Sequence, residues 1–533
     1  VKRLLHLIAP ILSLLPLCSL AMAPQRLQAL AFGDSDEKIA AIREIAAEGD
    51  HSALPVLQAL ENAELHTTPD GRVFIVKDGA VIDAATGGKV EPTPEQLDEV
   101  VVNNRVRSEL ATAIASLKLF SKNRAERLAA AQALQAGADE SLLPAISRAL
   151  AQETDPRIKE KLQLAQAGLQ LASPDPTTRL SAVRTLAASS DPNTRTLLLA
   201  LLAKKADGYA EPDPTVRAEA EKSLRAVESR LAMGERAAQV FSGVSLGSIL
   251  LLAALGLAIT YGLMGVINLA HGELIMVGAY ATYVVQNLFR SHLPHAFDFY
   301  LLCAAPAAFV ASALVGIALE RSVIRHLYGR PLETLLATWG ISLILIQGVR
   351  TLFGAQNVQV ENPSWMSGGV ELMSNVVLPY NRIVIILFAG MVVLLVAVLL
   401  ARTRLGLFIR AVTQNRSMAG CCGVPTARVD TYAFGLGAGI AGLAGCALSQ
   451  IGNVGPDLGQ AYIVDSFMVV VLGGVGQLAG TVYAALGLGV VNKFLEAWQG
   501  AVLAKIAVLV FIILFIQKRP QGLFALKGRT AES

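Results

Sequence analysis

Gly262-Leu263-Met264-Gly265-Val266-Ile267-Asn268-Leu269-Ala270-His271-Gly272-Glu273 is the stretch whose reading decides the fold. It sets three glycines, an amide, an imidazole and a carboxylate between two long hydrophobic runs. Ionisable groups are costly at membrane depth, so there they mark a solute path or a packed polar joint. From about residue 240 onward the chain reads as a polytopic α-helical membrane domain. Before that point it reads as water-soluble.

Composition supports the split. Of 533 residues 53% are hydrophobic and only 16% charged, far from a soluble average. The first part is rich in Ala, Leu, Glu, Arg and Asp-Pro pairs. The second is built of apolar runs of about 20 residues, each enough to cross a bilayer as a helix. These runs are 241–262, 269–289, 300–320, 334–352, 383–401, 429–449 and 501–517. Two shorter glycine-interrupted segments, 463–475 and 479–492, are either full spans or a re-entrant pair. A net charge of +3 gives no footprint for nucleic acid.

Residues 1–23 read as a secretion signal. Lys2 and Arg3 supply the positive start, Leu4 to Leu20 the apolar core, and Ala21-Met22-Ala23 the small-residue cleavage site. The segment 24–240 has no cysteine, so it folds without disulfides even in an oxidising compartment.

Within 24–236, Asp-Pro recurs at Asp155-Pro156, Asp175-Pro176, Asp191-Pro192 and Asp213-Pro214. Lys159, Arg179, Arg195 and Arg217 follow, each three positions after the proline. Aspartate caps helix starts and proline suits the first helical position, so each pair predicts a helix start. Amphipathic alanine- and leucine-rich stretches lie between them. His51 to Leu60 also resembles Glu140 to Leu150. Stacked helix pairs of this kind predict a HEAT-like α-solenoid. An insert at about 67–102 interrupts it: Arg72 to Val76 and Ala80 to Asp83 predict a small surface β-hairpin with Asp78-Gly79 at its turn. No catalytic constellation is present in this domain, whose expected job is docking or structural.

Arginine and lysine set the orientation. Arg321, Arg325 and Arg330 share one loop, five arginines lie in 402–428, and Lys518, Arg519, Lys527 and Arg529 lie on the tail. Alternation of spans puts all three groups on one side, the cytoplasm. The repeat domain is then expected in the periplasm, with 237–520 as the membrane domain of a bacterial inner-membrane protein and 521–533 as a cytoplasmic tail. The loop 402–428 is longer than a connection needs and carries a short amphipathic stretch with a glycine stop. That suits docking into a groove on a partner.

Broken helices in both halves of a membrane domain point to a path. One break holds Gly262, Gly265 and Gly272; the other holds Gly473, Gly474, Gly476 and Gly480. Unwound backbone is tolerated only where protein or a water-filled cavity covers it. His271 and Glu273 lack a further ligand cluster, so no metal site and no cofactor are expected.

The run Gly243-Val244-Ser245-Leu246-Gly247-Ser248 to Gly278-Ala279-Tyr280, the loop 402–428, and Gly473-Gly474-Val475-Gly476 with Gly480 resemble permeases of the branched-chain amino acid ABC importer family. Within that family, the signal peptide, the large extension and Ile463-Val464-Asp465-Ser466-Phe467-Met468-Val469-Val470-Val471 resemble the urea importer permease. The resemblance implies a paralogous permease, two cytoplasmic ATPase subunits and a periplasmic solute-binding protein as partners, with urea as solute. It also implies that Arg402, Gly406, Arg410, Ala411, Ala419 and Gly423 form the ATPase-coupling element. The chain itself has no Gly-x-x-x-x-Gly-Lys-Ser/Thr loop to hold nucleotide, so it is not expected to be an enzyme. A path for a small neutral amide wants mixed donors and acceptors, which Asn268, His271, Glu273, Asp465 and Gln477 would supply. Two rival readings stand beside this one: a branched-chain amino acid as solute, and an ATP-independent channel or membrane sensor.

Overall fold

The computed structural model describes residues 24–524, apart from residues 50, 78–79, 91–93, 95–96, 138–139, 206–207 and 266–267. The expected signal at 1–23, the Asp78-Gly79 turn and the end of the tail lie outside the described residues. The chain divides into two compact units, ending and beginning at Ala232 and Met233.

The first unit is mostly helical: α1 (Pro24–Phe32), α2 (Ser35–Glu48), α3 (Leu54–Glu61), α4 (Asn104–Lys118), α5 (Arg124–Gly137), α6 (Leu143–Gln152), α7 (Pro156–Gln170), α8 (Pro176–Leu186), α9 (Pro192–Leu202) and the start of α10 (Pro214–Met264). Local chemistry explains their ends. Asp34 and Glu37 close a capping box on α2, and Gly49 stops that helix in the left-handed region at φ 74°. Asp155, Asp175 and Asp191 each cap the helix that their proline begins.

A second device recurs. Arg127 Nη1 donates to the carbonyls of Ser121 and Lys122 at 3.0 and 3.3 Å. Arg179 does the same to Ser173 and Pro174 at 2.9 and 3.0 Å, and Arg217 to Glu211 and Pro212 at 2.8 and 2.9 Å. Each arginine thereby ties down the loop that precedes its own helix. Arg195 instead pairs with Glu228.

The insert is larger and better anchored than a surface hairpin. Strands β1 (Leu65–Thr67), β2 (Val73–Lys77), β3 (Ala80–Asp83) and β4 (Asp98–Glu99) form an antiparallel sheet in the order β3-β2-β1-β4. The hairpin pairs Ile75 with Ile82 and Val76 with Val81, while β1 and β4 are too short to announce themselves in the sequence. Leu65, Val73, Ala84 and Val100 join the same core as Ile42, Leu57 and Leu110. Apolar contact with the helices therefore corrects the expectation of a small surface hairpin.

The second unit comprises the rest of α10, α11 (His271–His292), α12 (Tyr300–Ser322), α13 (Pro331–Phe353), α14 (Tyr380–Arg402), α15 (Arg404–Gln414), α16 (Arg416–Cys421), α17 (Thr426–Ser449), α18 (Leu458–Gly473), α19 (Leu478–Gln499) and α20 (Ala501–Lys518). A hairpin of β5 (Gly369–Met373) and β6 (Val376–Pro379), not anticipated from the sequence, joins α13 to α14. Among the described residues, seven helical stretches are long and apolar enough to cross a membrane: those of α10, α12, α13, α14, α17, α19 and α20. The shorter α18 is apolar as well. Helix α11, expected as a span, has the length but not the hydropathy, because it carries His271, Glu273, Gln286, Asn287, Arg290 and His292. Of the two ambiguous C-terminal segments, α19 reaches full length and α18 does not.

Helix α17 is the centre of this unit. Nearly its whole length is buried, against α11 and α12 above all. Small residues make that possible: a Cβ on Gly278 would stand 2.2 Å from the Gly442 carbonyl oxygen, and one on Gly437 would stand 2.6 Å from that of Gly256. Backbones this close gain packing that bulkier side chains would forbid.

Candidate functional site

The break between α10 and α11 begins at Gly265, whose φ of 63° only glycine adopts freely. The chain re-enters a helix with the side chain of Asn268 accepting from the Ala270 N–H at 3.0 Å. The Leu269 N–H donates to the Thr338 hydroxyl of α13 at 3.3 Å.

His271 is fully buried, and its Nε2–H donates to the Ala253 carbonyl of α10 at 3.0 Å. In the neutral ring that leaves Nδ1 as an acceptor, and it has no protein partner. Glu273 is buried too. One of its oxygens accepts from the Ser342 hydroxyl of α13 at 2.5 Å. Its Oε2 has no protein partner and faces Gly459 of α18, where a Cβ would stand 2.8 Å away. Asn268 Nδ2 and the Tyr280 hydroxyl are likewise buried without a protein partner. Buried polar atoms are nearly always paired, so this concentration along one break is a feature of the site. At the break itself it offers a donor at Asn268 and acceptors at His271 and Glu273.

The second break lies against the first. A Cβ on Gly262 would stand 2.7 Å from the Gly476 Cα, and Gly476 itself has φ 79°. Gly473 and Gly480 meet backbone to backbone, and Gly474, at φ 99°, is covered by the Phe524 and Gln521 carbonyls. Gln477 stands at the N-cap position of α19 next to this contact, without a side-chain bond to the helix. Gly272 packs on Gly459, joining the starts of α11 and α18. Asp465 is held elsewhere: it faces Lys505 of α20 at 3.6 Å, beside Leu250, Met468 and Leu488.

In loop 402–428, Thr403 caps α15 and Asn415 caps α16 through their side chains. The six residues expected to act together there divide into two sets. Gly406 and Ala419 are buried and Ala411 is half-buried. Gly406 lets α15 fold back on α14, since a Cβ there would stand 2.1 Å from the Leu400 carbonyl oxygen. Arg402, Arg410 and Gly423 are exposed, Arg410 donates to that same Leu400 carbonyl, and Gly423 closes α16 at φ 85°. Leu407 and Met418 add exposed apolar surface.

Sequence reading did not single out Ser342, Thr338 or Gly459. Hydroxyls and a glycine on apolar helices are ordinary by themselves. Only the distant packing of α13 and α18 on the break makes them part of the site.

With this geometry described, comparison adds three findings. A family model for the permease component of branched-chain amino acid transport systems matches residues 239–517, a little over half of the chain. The high-affinity branched-chain amino acid transport system permease protein LivH of Escherichia coli is 29% identical over 294 residues, 54% of this chain and 94% of the relative. The corresponding BraD protein of Pseudomonas aeruginosa is 28% identical over 291 residues, again 54% and 94%, and LivM of Escherichia coli is 26% identical over 302 residues, 52% and 68%. No solved structure matches.

Proposed function

This chain belongs to the family of permease components of branched-chain amino acid transport systems, and we propose that it lines the solute path of an ABC importer. It is a multi-pass membrane transport subunit rather than an enzyme. The observation that carries the path is the meeting of the two breaks at Gly262 and Gly476, beside the buried unpaired groups of Asn268, His271 and Glu273. Alternating access would rock the helices about that contact.

The partners follow from the same reading: a paralogous permease, two cytoplasmic ATPases and a periplasmic binding protein. One organism's LivH and LivM both resemble this chain, which supports a pair of related permeases. The exposed side of α15 and α16, with Arg402, Leu407, Arg410 and Met418, is the surface offered to the ATPases. The arginine-rich loops favour the cytoplasm for that surface and the periplasm for the first unit. The recurring arginine clamps favour a HEAT-like solenoid there.

For the solute, the named relatives favour a branched-chain amino acid. Glu273 Oε2 would take its ammonium group and Asn268 Nδ2 an oxygen of its carboxylate. A second reading, urea, is favoured by one observation: half of this chain accounts for 94% of LivH, so the first unit has no counterpart in that relative. The same groups would serve an amide. Uptake of labelled leucine and urea by proteoliposomes holding the complete complex, with its binding protein, tests both. ATP-dependent uptake of neither solute would overturn the assignment.

A further inference from the structure

Two carboxylates without any exposed side-chain surface, Glu320 and Asp430, lie where α12 and α17 approach loop 402–428. Their partners are accessible: Arg325 and Arg416 keep 38% and 42% of their side-chain surface exposed. Arg416, in α16, grips Asp430 with both terminal guanidinium nitrogens, one of them at 3.3 Å, and lies over the Tyr328 ring at 4.9 Å. Arg325, just after α12, donates to both Glu320 oxygens at 3.3 and 3.2 Å and to the Thr431 hydroxyl at 2.9 Å. Thr431 in turn donates to Glu320 at 2.8 Å. Because Asp430 and Thr431 are neighbours, one end of α17 is fastened to α16 on one side and to the end of α12 on the other.

We propose that this network is the joint through which movement of α15 and α16 reaches the central helix, with Arg416 and Asp430 as positioning residues that touch no solute. The inference rests on the coupling role proposed above for loop 402–428. Its physical basis is the asymmetry of the pairs. Each arginine can swing into water, but the carboxylate it leaves remains buried without its counter-charge, which is strongly unfavourable. The loop therefore carries α17 with it. Two turns beyond Asp430, Gly437 packs on Gly256, and a Cβ on Gly256 would stand 3.1 Å from the His271 ring. A shift of α17 along its axis is thus felt directly beside the break.

The test uses the complete importer in proteoliposomes and reads solute taken up per ATP hydrolysed. Arg416→Met with Asp430→Leu removes both charges together, so no buried charge is stranded. The expected result is an assembled complex whose uptake per ATP falls about tenfold, with part of it regained by Arg416→Asp with Asp430→Arg. A pair that only holds the fold together would lower the yield of complex and leave the ratio alone. Arg416→Lys provides a milder variant, keeping the charge but losing the two-nitrogen grip and the ring contact. Its ratio is expected to fall about fivefold. An unchanged ratio in both the neutral pair and the lysine variant overturns the joint. Absence of ATP-driven uptake by the unaltered complex would instead overturn the importer reading, and this inference with it.

Discussion

Gly262, in the last turn of α10, lies backbone to backbone against Gly476, in the turn before α19, with no room for a Cβ on Gly262. Gly262→Ala would place a methyl 2.7 Å from the Gly476 Cα, so one of the two segments has to move. Overpacking of this kind is expected to cost about 1–3 kcal/mol and to suppress uptake. Gly265→Asn makes the companion variant. It sits at φ 63° with nothing within 4 Å, and asparagine tolerates that conformation. Thermal unfolding of the purified complex and uptake should both separate the two variants. Equal behaviour would show that the contact between the breaks carries nothing.

Glu273 gives a test of what the path reads. Glu273→Gln keeps an acceptor for Ser342 but removes the charge on the oxygen facing Gly459. A hydrogen bond involving a charged group contributes about 1.5–3 kcal/mol, so uptake of an ammonium-bearing solute should fall by at least about tenfold. Urea uptake should fall much less. The same loss for both solutes would mean that the carboxylate is a structural joint between α11, α13 and α18.

What could be read from the sequence in this region was local. A left-handed glycine, an Asp-Pro helix start or a basic loop declares itself within a few residues, because the chemistry involved acts over a few residues. Gly265, Gly474 and Gly476 were legible for that reason, as were the caps at Asp155, Asp175 and Asp191. Pairing across the fold was not. Nothing near Glu273 announces Ser342, and nothing near Thr431 announces Arg325 at the end of another helix. The hairpin β2–β3 was visible from its alternation, whereas β1 and β4, of three and two residues, carry no pattern to read.

Asp465 and Lys505 form a pair at 3.6 Å between α18 and α20, with the carboxylate the more buried partner. Lys505→Met alone should be destabilising by about 1 kcal/mol, since the lysine is more than half exposed and the contact is loose. Asp465→Asn together with Lys505→Met should recover most of that loss. A double-mutant cycle on thermal stability measures the coupling directly. If uptake also survives in the double variant, Asp465 acts as a packing pair; if uptake is abolished while stability returns, it contributes to the path itself.

The first unit offers a pH-dependent test of its own construction. Glu211 is almost fully buried and accepts two hydrogen bonds of 2.8 Å from Arg179, whose guanidinium holds its carboxyl below the ordinary glutamate range. The folded state then binds fewer protons at this residue than the unfolded state, so its stability rises with pH across this window. The contribution is complete above the unfolded value of about 4.3 and is lost as pH falls through the lower folded value. Arg179→Ala, by stranding Glu211 and freeing the loop carbonyls of Ser173 and Pro174, should cost about 3–5 kcal/mol at neutral pH. Hydrogen exchange of peptides from 173 to 217 in the full-length protein, corrected for intrinsic rates, is the appropriate readout. Protection should decline towards pH 3 in the unaltered chain, and Glu211→Gln should weaken protection at neutral pH while flattening that decline. An undiminished slope in the glutamine variant would assign the acid sensitivity to other carboxylates, such as Glu153 at the equivalent clamp of Arg127.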